Sequence, residues 1–427
     1  AAAAKGFAVW RATSPYDRAK VLRRAADLIR ERHERIARVL TLEQGKILAE
    51  SRIEVIAAAD TIEWYAEEGR RAYGRIVPAR APGGRQMVVQ EPVGPVAAFT
   101  PWNFPALTPA RKMGGALGAG CSLIIKGAEE TPGTAVELVR AFADAGLPAG
   151  VLNLVFGKPA EVSAHLIASD VIRKISFTGS TAVGKQLARL AVDGMKRTTF
   201  ELGGHGPVVV FGDADPEQSA EILAAGKYRN AGQICISPTR FYVAETIHDR
   251  FVKRFVEVAA GRRLGDGLED GTTMGPLANP RRLDAMEGFL ADARKRGARI
   301  ETGGERSGNQ GFFFAPTVVT GIPDDSRLMT EEPFGPIAPI TPFRDFDEVV
   351  ARANSLPYGL AGYAFTASAK TATAIGDALE VGMVGINSLG VSLAEMPFGG
   401  IKESGHGHEG GIEGLEAYTS RKLIAQW

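Results

Sequence analysis

The sequence predicts an α/β protein made of two α/β domains, the first doubly wound, and three observations carry that expectation. From Val96 onward, short apolar runs alternate with segments of helical length and composition, the pattern of parallel strands joined by right-handed crossover helices. The chain has 427 residues, more than one ordinary core fills, so two or three domains are expected. The alternation pauses at Gly203–Gly204, in ELGGHGP, and then resumes as a second series.

The elements follow in order. The segment SPYDRAKVLRRAADLIRERHERIARVL sets Leu22, Ala25, Ile29, Ile36 and Leu40 at helical spacing, with Ser14 as N-cap and Pro15 at the first helical position. A second amphipathic helix is expected from about Lys46 to Tyr73. VAAFT (96–100), SLIIK (122–126), VLNLVF (151–156) and VIRKISF (171–177) are the first series of buried strands. ALTPARKMGGALGAG, TPGTAVELVRAFADAG and STAVGKQLARLAVDG are the helices between them. The second series has strands near 207–211, 240–244, 337–343 and 362–366, with helices near 216–229, 246–260, 280–296, 346–354 and 368–379. GRQMVVQEP (84–92) and the closing YTSRKLIAQW alternate as strands but belong to neither series. Such strands serve chain-to-chain contact or stand as simple edges.

Composition narrows the function classes. Lysine plus arginine number 50 and aspartate plus glutamate 49, so no strong field draws in nucleic acid or a membrane surface. The two cysteines, Cys121 and Cys235, are far apart, which argues against a disulfide framework and for a reducing compartment, the cytoplasm by default. No apolar run approaches the ~20 residues that span a bilayer. AAAAKGFAVWRAT lacks the basic-then-apolar layout of a signal peptide.

Several segments are able to carry chemistry. FTGSTAVG (177–184) joins a strand to a helix; Gly179 permits close backbone approach and Ser180 caps the helix, whose N-terminus suits a phosphate. By spacing alone this is either a cofactor turn or a plain helix start. Lys126 and Glu129, in IIKGAEETP, lie where ligands bind beyond the carboxyl ends of strands, an acid there accepting from ribose hydroxyls, or else they form a solvated pair. Cys235, in RNAGQICISPTR, sits among small and polar residues in a turned, exposed loop, whereas Cys121 opens a buried strand and reads as packing. A nucleophilic thiol needs an oxyanion donor and a base. Asn103, between two prolines in PWNFP, is a rigidly held amide, and Glu201 ends a strand before two glycines, where burial raises a carboxylate toward the range of a general base. A thiol hydrolase would need a histidine base near Cys235, and none of the six histidines lies in a comparable motif.

TPWNFP, FTGSTAVG, ELGGHGP, GQIC, EEPFGP and MPFGGIKESGHG occur in the order and approximate spacing of the NAD(P)-dependent aldehyde dehydrogenase superfamily, which the chain resembles over essentially its whole length. The resemblance implies the aldehyde dehydrogenase fold: a Rossmann-like cofactor domain over 1–73 and 93–203, an α/β catalytic domain over 204–403, and a small β oligomerisation element over 74–92 and 404–427. It implies Cys235 as the nucleophile that attacks the aldehyde carbon, Asn103 with the Cys235 N–H as the oxyanion hole, and Glu201 as the base that hydrolyses the thioester left after hydride loss. Gly179, Ser180 and Gly184 resemble a pyrophosphate turn, and Lys126 and Glu129 the ribose contacts. Glu332 resembles the acceptor for the nicotinamide ribose, with Phe334 and Trp102 beside the cofactor. Glu129 favours NAD, with NADP as the alternative.

Arg111 and Arg229 match arginines that hold the distal carboxylate in succinate-semialdehyde dehydrogenases, and Ser392 stands in the loop that meets it there. EGGIEGLEAY and KYRNAGQICISPTR also resemble 2-oxoglutarate-semialdehyde enzymes. The expected reaction is therefore oxidation of a semialdehyde, succinate semialdehyde first and 2-oxoglutarate or glutarate semialdehyde next, to a dicarboxylic acid. A catalytically silent relative would be expected to lack Cys235, Glu201 or Asn103, and all three are present. The resemblance further implies a homodimer or homotetramer. It also implies a trimmed or partly invisible N-terminus, since relatives begin earlier with strands that brace the cofactor domain.

Overall fold

A computed structural model describes residues 1–427. The expected strands assemble into two separate, mainly parallel sheets. In the first, six strands lie in the order Gly405–His406, Arg197–Glu201, Lys174–Thr178, Val96–Phe99, Leu123–Lys126, Leu152–Val155. All pair in parallel except the Gly405–His406 edge. Val96–Phe99 is flanked by Leu123–Lys126 on one side and Lys174–Thr178 on the other, so the winding reverses there. A reversal of this kind opens a crevice beyond the carboxyl ends of the two diverging strands. Pro101 to Asn103 and Gly179–Ser180 are the residues that follow those ends.

The second sheet runs Arg299–Thr302, Thr317–Thr320, Ile337–Phe343, Pro238–Ala244, Gly206–Val210, Ala361–Phe365, Met383–Ile386, with only the first strand antiparallel. Helix Pro216–Tyr228 crosses from Gly206–Val210 to Pro238–Ala244 and delivers Cys235 just before the latter. Val208, Val209, Phe241, Val243, Ile337 and Ile340 are fully buried in this domain's core, as parallel strands covered on both faces require.

The structure corrects three expectations. The helix expected from Ser14 to Leu40 is two, Pro15–Glu31 and His33–Gln44, with Arg32 between them at φ −100°, ψ 8°. The bend lets Ile36, Ala37 and Leu40 join the core already entered by Leu22 and Ile29, while Arg32 and Arg35 reach Asp144 and Glu137 on helix Pro132–Asp144. The next helix stops at Glu68 rather than Tyr73, at a glycine packed so closely that a side chain on it would sit 2.6 Å from the Gly118 carbonyl oxygen. Finally, residues 405–418 do not join the small β element assigned to 404–427. Gly405–His406 completes the edge of the first sheet, and Leu415 and Tyr418 bury in the core beneath that sheet. Only Thr419–Gln426 pairs with Arg85–Pro92, antiparallel, to form the three-stranded ribbon with Arg75–Val77. An N-terminal helix, Ala2–Ala12, also covers that core, with the buried Trp10 donating to Leu117 O at 2.9 Å. No helix is long and apolar enough to cross a membrane.

Candidate active site

The loop that carries Cys235 is built from strained but well-tied backbone. After Tyr228 the chain tightens into the turn Arg229–Gly232, where Asn230 and Ala231 take left-handed conformations, φ 49° and 52°. Such residues cost about 1–3 kcal/mol each and persist only where neighbours hold them. Here Asn230 N–H donates to Glu50 at 2.9 Å, its amide donates to Asn103 O at 3.0 Å, and Gln233 Oε1 accepts from Ala278 N–H at 2.9 Å. Gly232, at φ 73°, must lack a side chain, since a Cβ would lie 2.2 Å from Gly335 O. Cys235 emerges from this loop half-buried, not exposed as expected, while Cys121 is fully enclosed with its thiol toward Tyr418 O.

Asn103 is 5% exposed, and its amide donates to Gln233 O at 3.1 Å. An amide has two hydrogens, so one remains beyond this bond. Glu201 is 2% exposed and neither carboxylate oxygen has a partner. Burial and then the neighbouring Glu409 push its pKa well above the carboxylate range, against the pull of Lys112 and Arg111. Burial also pushes the Cys235 thiol up, to about 12, with Glu332 and Glu201 adding and Arg111 opposing. In the free chain the thiol is therefore kept protonated, by burial first and by the neighbouring acids Glu332 and Glu201 second.

One cavity of about 740 Å³ brings together Trp102, Asn103, Arg111, Gly179, Ser180, Glu201, Arg229, Cys235, Glu332, Phe334 and Ser392. Lys126, Glu129 and Gly184 are not in its lining. Lys126 ends its strand on the same edge, its Nζ bonded to Gly127 O at 3.0 Å and to Glu129. Gly184 serves packing: a Cβ there would sit 2.5 Å from Leu202, the close helix-to-strand approach that nucleotide-binding turns require.

The residues on one side of the cavity fit a dinucleotide. Helix Thr181–Val192 points its N-terminus at the crevice, capped by Ser180, whose hydroxyl accepts from Val183 N–H. Free N–H groups and partial positive charge there suit a pyrophosphate. Glu332 takes one bond, from Gly204 N–H at 3.1 Å, which leaves its other oxygen for a ribose hydroxyl. Burial raises its pKa to about 7, opposed by that N–H and by Arg282 and Lys227. Phe334 and Trp102 meet edge to face at 5.7 Å and offer flat apolar surface. Arg282 donates to Pro333 O and lies 5.8 Å over the Phe334 ring.

The other side suits an anion beside apolar surface. Arg111 donates to Ser392 Oγ at 2.7 Å and stacks 4.0 Å over Phe398. Arg229 is exposed and lies 5.5 Å over Phe104. Neither guanidinium is in salt-bridge contact with a carboxylate. Sequence reasoning missed Lys46, Glu54, Lys112, Glu409 and Arg282. Phe104 and Phe398 had a signal, inside PWNFP and MPFGG, whereas a buried charge such as Lys46 or Glu409 leaves none.

A model of the aldehyde dehydrogenase family matches residues 1–424. The chain is 49% identical to the 4-(hydroxymethyl)benzenesulfonate dehydrogenase of Comamonas testosteroni, over 98% of this chain and 87% of that protein. It is 42% identical to the succinate-semialdehyde dehydrogenase [NADP(+)] of Escherichia coli, over 99% of this chain and 88% of the relative. Among solved structures, the succinate-semialdehyde dehydrogenase of Burkholderia pseudomallei superposes with a TM-score of 0.98 at 42% identity, covering 99% of this chain and 88% of that one.

Proposed function

The chain belongs to the aldehyde dehydrogenase family and is an NAD(P)-dependent aldehyde dehydrogenase, and from that premise we propose that it oxidises aldehydes carrying a distal anionic group, succinate semialdehyde foremost. The observation that carries the proposal is the pair Arg111 and Arg229, both lining the cavity of Cys235 and both without a carboxylate partner. A planar guanidinium is suited to a carboxylate fork, and Ser392, already bonded to Arg111, adds a hydroxyl. NAD is the preferred cofactor in this reading, because the Glu129 carboxylate would repel a 2′-phosphate.

In this reading Cys235 Sγ attacks the aldehyde carbon, and the oxygen that gains charge is met by the Asn103 amide and the Cys235 N–H. Bound NAD(P)+ supplies a hydride acceptor and a positive charge. Glu201, whose raised pKa makes it the stronger base once it is ionised, accepts a proton from the thiol, passes it to solvent, and later accepts one from the water that cleaves the thioester. The apolar walls around it, Phe104 and Phe398 among them, limit the water that reaches the adduct.

NADH formation from NAD and succinate semialdehyde is the primary test, with Cys235→Ala as the silent control. Arg111→Ala and Arg229→Ala should each raise KM for the semialdehyde about tenfold or more while leaving that for propanal nearly unchanged. Equal effects on both aldehydes would refute the anion-binding role. A second reading rests on the 49% identity to the benzenesulfonate enzyme together with the two rings that stack beside the arginines. These would suit a benzaldehyde with a para anionic group. A panel of succinate, glutarate and 2-oxoglutarate semialdehydes with 4-formylbenzenesulfonate decides between them by kcat/KM.

A further inference from the structure

Asn103 reaches the nucleophile loop from the other domain, so something must set its position against Cys235. Its backbone carbonyl accepts two hydrogen bonds, from Lys46 Nζ at 2.7 Å and from Asn230 Nδ2 at 3.0 Å. The Lys46 ammonium also pairs with Glu54 at 2.6 Å, and both side chains are 1% exposed. The second oxygen of Glu54 accepts from Ala106 N–H at 2.8 Å and Leu107 N–H at 3.2 Å, the start of helix Leu107–Ala119. The Asn103 carbonyl and the turn that follows it are thus tied to one ion pair.

Lys46 itself lies where the domains meet. Leu48 N–H donates to Gly267 O at 2.9 Å, and side chains at Gly267 or Gly275 would strike the backbone of Lys46 or Gly45 at 2.5 and 2.0 Å. The 45–48 loop is therefore pressed onto the catalytic domain, which carries Cys235. A buried ion pair costs desolvation that apolar residues of the same volume would not, so its presence here asks for a role other than stability.

We propose that Lys46 and Glu54 are positioning residues that hold the Asn103 amide in register with the Cys235 loop. The inference rests on the oxyanion role of Asn103 given above. It is tested by a cycle of four proteins: the unaltered chain, Lys46→Met/Glu54→Gln, Asn103→Ala, and all three substitutions together. Gln at position 54 keeps the acceptor for Ala106 and Leu107, and the pair of changes leaves no lone buried charge.

The expected result is a fall in kcat of about tenfold or more for Lys46→Met/Glu54→Gln, since small misplacements of a reacting group cost that much. The aldehyde KM and the NAD+ Kd from calorimetry should stay within ~2-fold, and the same change should cost less than ~2-fold when Asn103 is already alanine. An equal loss in both backgrounds, or a loss carried by KM, would overturn the proposal. If Asn103→Ala alone leaves kcat intact, the oxyanion assignment itself fails, which is a separate outcome. Should the doubly altered chain not fold, Asn230→Gly replaces it in the cycle: it removes the other bond to Asn103 O and tolerates the left-handed backbone. The same two patterns then decide.

Discussion

Lys227 shows what burial does to one side chain. It sits on helix Pro216–Tyr228 with no exposure, and its ammonium has no partner. Desolvation lowers its pKa from 10.5 to about 7, with Glu332 pulling the other way. Between pH 7 and 10.5 the unfolded chain binds the proton and the folded chain does not, so this residue's contribution makes stability rise with pH across that window. Lys227→Met should therefore stabilise the protein by about 1–3 kcal/mol at pH 7, the cost of a buried unpartnered polar group. That gain should shrink toward pH 10, as measured by denaturant unfolding of both proteins at each pH. A gain that is constant with pH would show that Lys227 is charged and paired when folded. The same physics explains what single residues disclose in a sequence. Cys235, Asn103 and Glu201 were legible because each stands at a strand or loop end beside glycine or proline. Lys227, Lys46 and Glu409 were not, since only distant segments decide that a helical lysine or a loop glutamate is sealed from water. The exposed loop expected around Cys235 was wrong in degree for that reason: Ile236 O is held by Tyr363 Oη at 2.6 Å, a contact from a strand far along the chain.

At the scale of elements, the buried strands announced themselves by apolar runs bounded by turn residues, and helices by caps such as Ser14 and Ser180, both of which accept a first-turn N–H. Arg299–Thr302, Thr317–Thr320 and Met383–Ile386 escaped because RIET, TVVT and MVGI carry no long apolar run, and each takes its identity from its neighbours in the sheet. The break at Arg32 escaped as well, because the apolar stripe continues through it. The turn Arg229–Gly232 joins three elements at once: the helix before it, the Cys235 segment after it, and the Glu332–Gly335 loop against which Gly232 lies. Gly232→Ala would force a Cβ onto the Gly335 carbonyl and hold a left-handed φ without glycine. We expect a loss of about 1–3 kcal/mol in stability and, because Cys235 and Glu332 shift together, a rise in the NAD+ Kd along with the fall in kcat. A stable variant with unaltered cofactor binding would show that the two loops move independently.

The whole molecule joins two sheets so that the switch point of one faces the Cys235 loop of the other, and a single chain supplies every residue proposed for the site. The ribbon of Arg75–Val77, Arg85–Pro92 and Thr419–Gln426 stands outside that arrangement. Its last strand is an edge, and Leu423 is 64% and Trp427 75% exposed. An edge strand left open, here with Leu423 and Ile424 exposed on it, is a template for pairing with another chain, so we propose that it is where a second copy docks and that the protein is a homodimer or homotetramer. The rest of the fold does not depend on these side chains, because neither Leu423 nor Ile424 enters a core cluster. Leu423→Lys/Ile424→Lys should then weaken self-association at least about tenfold, as charge does at the centre of an interface. Sedimentation velocity would read the shift to lower mass, and circular dichroism should show the secondary structure unchanged. An unchanged sedimentation coefficient in a folded variant would place the contact between copies elsewhere. If the variant becomes monomeric and still oxidises succinate semialdehyde, the site is complete within one chain, as its single-chain cavity requires.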